Sequence, residues 1–303
     1  MLQTAIEAAR RAGRVIAERY PAGRNVASKG YRDIVTATDT AAEAVILGLI
    51  SDRFPDHAIL SEEAGGSDIG AGYTWVVDPL DGTTNYAHHI PVFAVSIGVL
   101  EDGDPLIGVV HDPLLGQTFV AERGGGTTLD DAPPLISGNG HSDGTPLISG
   151  NGHSDGTPPI SGNGHSDGTP PISGNGHSDG TPLHVSRVEN FGHTLVGMEW
   201  GRSDETRGRA LDWLRELTPR CGTVRALGSA ALGLAYVAAG WLDGYFHLAL
   251  KPWDSAAGML LVAEAGGRCT TLEGEPYRVN APGCLATNGL IHEELLGVMR
   301  GDC

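Results

Sequence analysis

The first twenty residues carry a helical period. Leu2, Ala5, Ile6, Ala9, Ala12 and Ile16 fall on one face and Glu7, Arg11, Arg14 and Glu18 on the other, which predicts a packing helix over Leu2 to Arg19. After the breakers Pro21, Gly23 and Gly30, the segment DIVTATDTAAEAVILGLISDRF starts β-rich and turns helical, with Thr38 or Asp39 the expected N-cap and Pro55 the stop. HAILSEEAGG then reads as a strand delivering Glu62 and Glu63 at its C-terminal edge. TWVVD, VFAVSIGVLE, LIGVVHD and TFVAERG are four apolar, β-branched runs separated by turn residues. Helices leading into a largely antiparallel sheet predict an α+β first half. Further on, TLVGMEWG, a helix near Thr206 to Leu217, an Ala-rich helix between Gly228 and Gly240 and another from Trp253 to Ala265 alternate with strands, the pattern of an α/β unit.

Between these halves the pattern breaks. PLISGNGHSDGT is written four times from Pro134 to Thr181, starting at Pro134, Pro146, Pro158 and Pro170, with only the second position varying. One isoleucine and an occasional leucine per copy cannot offset the ordering entropy of three glycines, so a flexible surface insertion is expected rather than a solenoid. The Gly-Asp content faintly resembles calcium-binding repeats, but those have a nine-residue period. Without the repeats, TTLDDAP and PLHVSRV read as the two ends of a short hairpin. The predicted division is therefore 1–133 with 182–188 as an N-terminal α+β domain, 134–181 as the insertion, and 189–303 as a C-terminal α/β domain.

A chain of 303 residues can bury a sizeable core, and a formal net charge of -17 speaks against nucleic acid or an anionic membrane surface as the main partner. No run approaches the roughly 18 apolar residues of a membrane span, and the mixed N-terminus does not read as a signal peptide. Cys221, Cys269, Cys284 and Cys303 lie far apart without a CxxC pair, which predicts free thiols and a cytoplasmic protein.

Candidate chemistry concentrates in WVVDPLDGTTNY, Trp75 to Tyr86. A strand ends at Asp78, Pro79 and Gly82 turn the chain, and Gly82, Thr83, Thr84 and Asn85 open a helix whose first amides lack intrahelical partners. Two carboxylates beside free amides make a place where divalent cations can meet an anion, and magnesium commonly binds through one or two carboxylates plus substrate phosphate and water. Asp78 and Asp81 are equally readable as turn and cap residues, Glu62 as a solvated charge and Asp254 as a plain N-cap.

Taken together, LSEEAG, WVVDPLDGTTN and LKPWDSAAG, with TATD at Thr36 to Asp39 and RALGSAAL at Arg225 to Leu232, resemble the motifs of the inositol monophosphatase family of magnesium-dependent, lithium-sensitive phosphatases. The resemblance spans the chain outside the repeats. It implies a layered αβαβα sandwich, commonly a homodimer, and two to three Mg2+ ions per site. Glu62, Asp78 and the backbone carbonyl of Leu80 would hold one ion; Asp78, Asp81 and Asp254 a second; a third, looser ion would share Glu62. Thr83 and Glu62 would orient the attacking water, with Asp39 supporting Thr83 or a metal-bound water. The amides of Gly82 and Thr83 would receive the phosphate. Asp81, Asp254 and the backbone of Ser229 and Ala230 would meet substrate hydroxyls, and Arg225 would help close the pocket.

The chemistry so implied is hydrolysis without a covalent phosphoenzyme: cations neutralise a phosphate monoester near -2 and lower the pKa of a water. The leading substrate is inositol 1-phosphate. Seven residues before Asp254, where inositol-hydrolysing relatives often carry a glutamate, stands His247. A protonated His247 would suit a second phosphate or a carboxyl, which keeps fructose 1,6-bisphosphate and histidinol phosphate as alternatives. Some bacterial relatives also partner the transcription machinery, so a regulatory protein-binding role is the rival reading.

Overall fold

The computed structural model describes residues 1–22, 26–31, 33–66, 68–131 and 180–301. The elements in chain order are α1 (Leu2–Arg19), β1 (Val26–Gly30), β2 (Asp33–Thr36), α2 (Ala37–Arg53), β3 (Ala58–Ser61), β4 (Gly65–Gly66), β5 (Tyr73–Asp81), α3 (Thr83–Ala87), β6 (Ala94–Glu101), β7 (Asp104–Asp112), β8 (Gln117–Glu122) and β9 (Gly126–Asp131). They continue with β10 (Thr181–Leu183), β11 (Leu195–Glu199), α4 (Asp204–Leu217), β12 (Thr223–Ala226), α5 (Ala230–Ala238), β13 (Gly244–His247), α6 (Pro252–Glu264), β14 (Arg268–Thr270), β15 (Cys284–Thr287) and α7 (His292–Arg300).

Beside the β1-β2 hairpin there are two sheets. The larger runs β10-β9-β8-β7-β6-β5-β3-β4 and the smaller β12-β11-β13-β15-β14. In the larger sheet only β3 and β5 pair in parallel, as expected of the first half; in the smaller, β12, β11 and β13 are parallel while β15 and β14 are not. Helices α1 and α2 cover one face of the larger sheet, α5 and α6 fill the space between the sheets, and α4 and α7 cover the outer face of the smaller one. The result is the αβαβα sandwich implied by the motifs. Three apolar clusters coincide with the interfaces between layers. Because both faces of the larger sheet are covered, β5 and β6 are buried almost throughout, which is why TWVV and AVSIGVL read as continuous apolar runs.

Close packing of α6 on the larger sheet fixes the site. Gly98 and Gly108 pair across β6 and β7. A Cβ on Gly98 would stand 2.8 Å from the Ala256 Cβ, and one on Gly108 would stand 2.5 Å from the Ala257 carbonyl. The Ser96 hydroxyl also donates to the Trp253 carbonyl at 3.2 Å, tying β6 to the first turn of α6.

Several boundaries differ from the sequence reading. The N-cap of α2 is Thr36, with Asp39 at the third helical position: the Asp39 carboxylate accepts from the Thr36 amide at 2.9 Å, a capping box that the TATD spacing already contains. Asp254 is likewise not an N-cap. It sits in the first turn of α6, where its carboxylate accepts from the Lys251 amide at 2.7 Å. The strand expected to end at Asp78 continues to Asp81, and the helix after it, α3, has only five residues.

On either side of the repeats, β9 and β10 pair antiparallel, Thr181 opposite Leu129 and Leu183 opposite Thr127, as the flanking sequences suggested. The insertion itself, up to Asp179, lies outside the described residues. Cys221, Cys269 and Cys284 are free thiols. Among the described residues no helix is long and apolar enough to cross a membrane.

Candidate metal and phosphate site

In a regular strand, residues three apart face opposite sides of the sheet. Asp78 and Asp81 escape this because the ladder slips between them: Asp78 stands opposite Ser96 and Asp81 opposite Ala94, three steps on β5 against two on β6. A bulge of this kind adds one residue and re-aims the side chain beyond it. The Asp78 carboxylate accepts the Leu80 amide at 3.0 Å, closing the turn through Pro79. Gly82 follows at φ +92, and a Cβ there would stand 2.9 Å from the Val92 carbonyl, so only glycine makes this corner without strain.

Asp81 reaches across the layers to α5. Its carboxylate accepts the Ser229 hydroxyl, the Ala231 amide at 2.9 Å and the Ala230 amide at 3.2 Å. The third acid, Asp254, arrives on α6. Single carboxylate oxygens of Asp78, Asp81 and Asp254 lie within 4.8 Å of one another. Glu62 follows β3, its amide bonded to the Val77 carbonyl at 3.1 Å beside the bulge.

These acids line one cavity of about 510 Å³ with Leu80, Gly82, Thr83, Glu199, Arg202, Ala230, His247 and Lys251 among its walls. Asp78 is 1% exposed and Asp81 8%. Burial, and then the charges of Glu62, Asp81 and Asp254, hold the Asp78 carboxyl well above its ordinary range. Burial lifts Asp81 too, against the lowering effect of its bonds to Ser229, Ala231 and Ala230. Asp254 is pushed up to about 8, chiefly by burial, with Asp81 and Glu62 adding to it. At an effective dielectric of about 20, two unit charges about 4.8 Å apart repel by roughly 3 kcal/mol. A cluster of this kind is stable when ionised only with a cation in it, and its all-oxygen donor set suits a hard divalent ion such as Mg2+.

Thr83 stands at the mouth of the turn. Its hydroxyl is 2.9 Å from Asp39 Oδ1 and 3.0 Å from the Leu80 carbonyl, two acceptors that its single proton serves one at a time. Asp39 is fully buried, and burial raises its pKa against the bonds it receives from Thr36 and Thr83.

Other candidates are placed differently from the sequence reading. Arg225 does not close the pocket: its guanidinium donates to Thr223 Oγ1 and the Val224 carbonyl at 2.7 and 2.9 Å, out in solvent. The Ser229 hydroxyl and Ala230 amide are committed to Asp81 rather than turned toward a ligand. His247 lines the cavity, but its Nδ1 accepts the Ala249 amide at 2.9 Å, and burial lowers its pKa to about 3. It is a neutral ring with its proton on Nε2, so the protonated His247 considered from sequence does not occur.

Four residues of the site escaped the sequence reading. Glu43, one turn after Asp39 on the buried face of α2, accepts the Ser61 hydroxyl at 2.5 Å and the Ala64 amide at 2.9 Å, bracing the turn that carries Glu62. Its helical spacing from Asp39 and Ile46 was the available signal. The Asn85 side chain donates to the Val92 and Leu227 carbonyls, both at 2.8 Å, stapling α3 to the loop before α5. Glu199 ends β11, accepts the Gly228 amide at 2.6 Å and is raised to about 7, mainly by burial. Arg202 pairs with Glu62 at 4.0 Å.

Comparison with known proteins agrees with this geometry. The sequence profile of the inositol monophosphatase family matches residues 1–160 and 171–301. The chain is 35% identical over 308 residues to the Nus factor SuhB of Escherichia coli K12, covering all of this chain and 96% of that protein. It is 34% identical over 298 residues to an inositol-1-monophosphatase of Synechocystis, covering 97% and 86%. Among solved structures, the Thermotoga maritima IMPase superposes with TM-score 0.77 at 28% identity over 99% of this chain and 96% of that one. The suhB protein of Bartonella henselae superposes with TM-score 0.79 at 29% identity over 99% and 98%. With the motifs, the sandwich and the acidic cavity in agreement, the chain belongs to the inositol monophosphatase family of phosphatases.

Proposed function

We propose that the protein hydrolyses a small phosphate monoester in a magnesium-dependent reaction, with inositol 1-phosphate the leading substrate. The observation that carries this reading is the triad of Asp78, Asp81 and Asp254, gathered within 4.8 Å from a strand bulge and a helix start. Glu62, Asp78 and the Leu80 carbonyl would hold one Mg2+, and Asp78, Asp81 and Asp254 a second, with a third near Glu62. Bound there, the ions would neutralise the ester dianion and lower the pKa of a nearby water.

The chain's own residues do the rest. Thr83, donating its proton to Asp39, keeps its lone pairs for a hydrogen bond from the attacking water. Glu62 takes up the proton that the water loses as its oxygen bonds to phosphorus and the ester oxygen leaves. The amides of Gly82 and Thr83 hold the phosphate oxygens, and placement within the cavity provides much of the acceleration. The same reading makes the protein a cytoplasmic homodimer inhibited by lithium.

The test is phosphate release by the purified protein, with and without magnesium, from inositol 1-phosphate, fructose 1,6-bisphosphate, histidinol phosphate and glycerol 2-phosphate. Magnesium-dependent release ranking inositol 1-phosphate first is expected. A different leading substrate would move the specificity and keep the chemistry; no release from any would refute the reading. A second reading is favoured by the likeness to proteins named Nus factors: a regulatory role through a protein partner. Retention of the cellular role by Asp78→Asn with its phosphatase activity lost would establish it.

A further inference from the structure

Subtracting the groups assigned to cations leaves a wall of the cavity without a described task. Glu62, Asp78, Asp81 and Asp254 are spoken for, which makes Glu199 the one acidic side chain remaining among the described residues that line it. The other polar groups on that wall are donors: Arg202, Arg207, Lys251 and His247.

Glu199 and His247 are also neighbours by construction. They are the last residues of the parallel strands β11 and β13 and pair in register. Register partners on adjacent strands stand about 4.8 Å apart and project to the same face. The Ala249 amide occupies His247 Nδ1, so that ring offers an Nε2–H. One acceptor therefore sits beside one donor, at a spacing that two adjacent ring hydroxyls can span.

We propose that Glu199 and His247 recognise a vicinal diol on the leaving group, Glu199 accepting from one hydroxyl and His247 Nε2–H donating to the next. This rests on the phosphatase reading and assigns the wall that selects polyol esters from others. Glu199 also accepts the Gly228 amide, so the test must separate recognition from support of that loop.

The experiment compares kcat/KM of wild type, Glu199→Gln and His247→Phe for inositol 1-phosphate and for phenyl phosphate, which carries no hydroxyl. Losing a hydrogen bond to a charged acceptor costs about tenfold or more. The expected result is that loss on inositol 1-phosphate, mostly in KM, with phenyl phosphate changed less than about threefold. Equal losses on both substrates, or none on either, would overturn the proposal. Should the variants not fold, inhibition of wild-type phenyl phosphate hydrolysis decides: cis-1,2-cyclohexanediol should inhibit at concentrations where cyclohexanol does not, and equal behaviour refutes the diol. No hydrolysis of either ester would refute the phosphatase reading alone, and calorimetric binding of inositol 1-phosphate to wild type and Glu199→Gln would then decide this one.

Discussion

Replacing Asp254 by Asn should make the metal-free protein more stable and the magnesium-loaded protein less active. Asn keeps the size and the oxygen that accepts the Lys251 amide, and it removes one charge from the acidic triad. In the fold the Asp254 carboxyl is raised to about 8, against roughly 4 in an unfolded chain. An acid whose folded pKa is raised contributes most below its unfolded pKa, and that contribution is lost as pH climbs from about 4 to about 8. At pH 7 three units of difference amount to about 4 kcal/mol. Asp254 is partly open to the cavity, and screening halves this to about 2 kcal/mol. In EDTA, Asp254→Asn should then melt about 4 to 8 °C above wild type at pH 7, with the gap narrowing toward pH 5. Magnesium should reverse the order. At a hundredfold excess over Kd the ion adds about 2.7 kcal/mol to wild type, and the variant should lose much of that gain. Melting curves with EDTA and with titrated magnesium, alongside phosphate release, make the measurement. A variant less stable than wild type in EDTA, yet equally stabilised by magnesium, would refute the argument that the triad is a cation site held in electrostatic tension.

Thr83→Val removes the hydroxyl shared by Asp39 and the Leu80 carbonyl; kcat should fall by about 10² or more with little change in KM, since a group that orients the attacking water acts on the chemical step. Ser229→Ala deletes the N-cap of α5 and one bond to Asp81; about 1 kcal/mol of stability should go, read as a lower urea midpoint, together with weaker magnesium binding. Gly82→Ala forces a Cβ onto the Val92 carbonyl at a left-handed φ and should cost about 1 to 3 kcal/mol and most of the activity. His111, 3% exposed against α1, has its pKa lowered to about 4 by burial and by Arg10. Its neutral form stabilises the fold fully above about pH 6.5, and stability falls as pH drops toward 4, by up to about 3 kcal/mol; His111→Asn should flatten that part of the pH-stability curve relative to wild type.

The elements themselves were largely legible because both periods are strong here. The helix α1 runs over the span its apolar stripe marks, and the covered sheet leaves unbroken apolar runs. Chain order and motif type pointed to Glu62, Asp78, Asp81, Thr83 and Asp254. What sequence could not supply was register. That Asp78 and Asp81 face the same way depends on a one-residue slip against β6, which is a property of the pair and not of β5 alone. Glu199 illustrates the same limit, since its meaning comes from His247 beside it, 48 positions along the chain. Asn85 went unread because its partner, Leu227, lies 142 residues away. Local hydrogen bonds misled in the other direction: TATD and KPWD each look like a capped start, and in both the aspartate is one turn inside the helix.

The order of the larger sheet has a consequence for solubility in a crowded cell. Its two outermost strands are β10, three residues including Pro182, and β4, the dipeptide Gly65–Gly66. An open sheet edge offers unpaired amides and carbonyls to any extended chain that meets it, and short, proline-bearing or glycine-only edges are poor templates. The long apolar strands β5, β6 and β7 sit in the interior of the order, shielded from strand addition. Lengthening β10, or replacing Pro182 with a β-branched residue, would give neighbouring molecules a rail to join on.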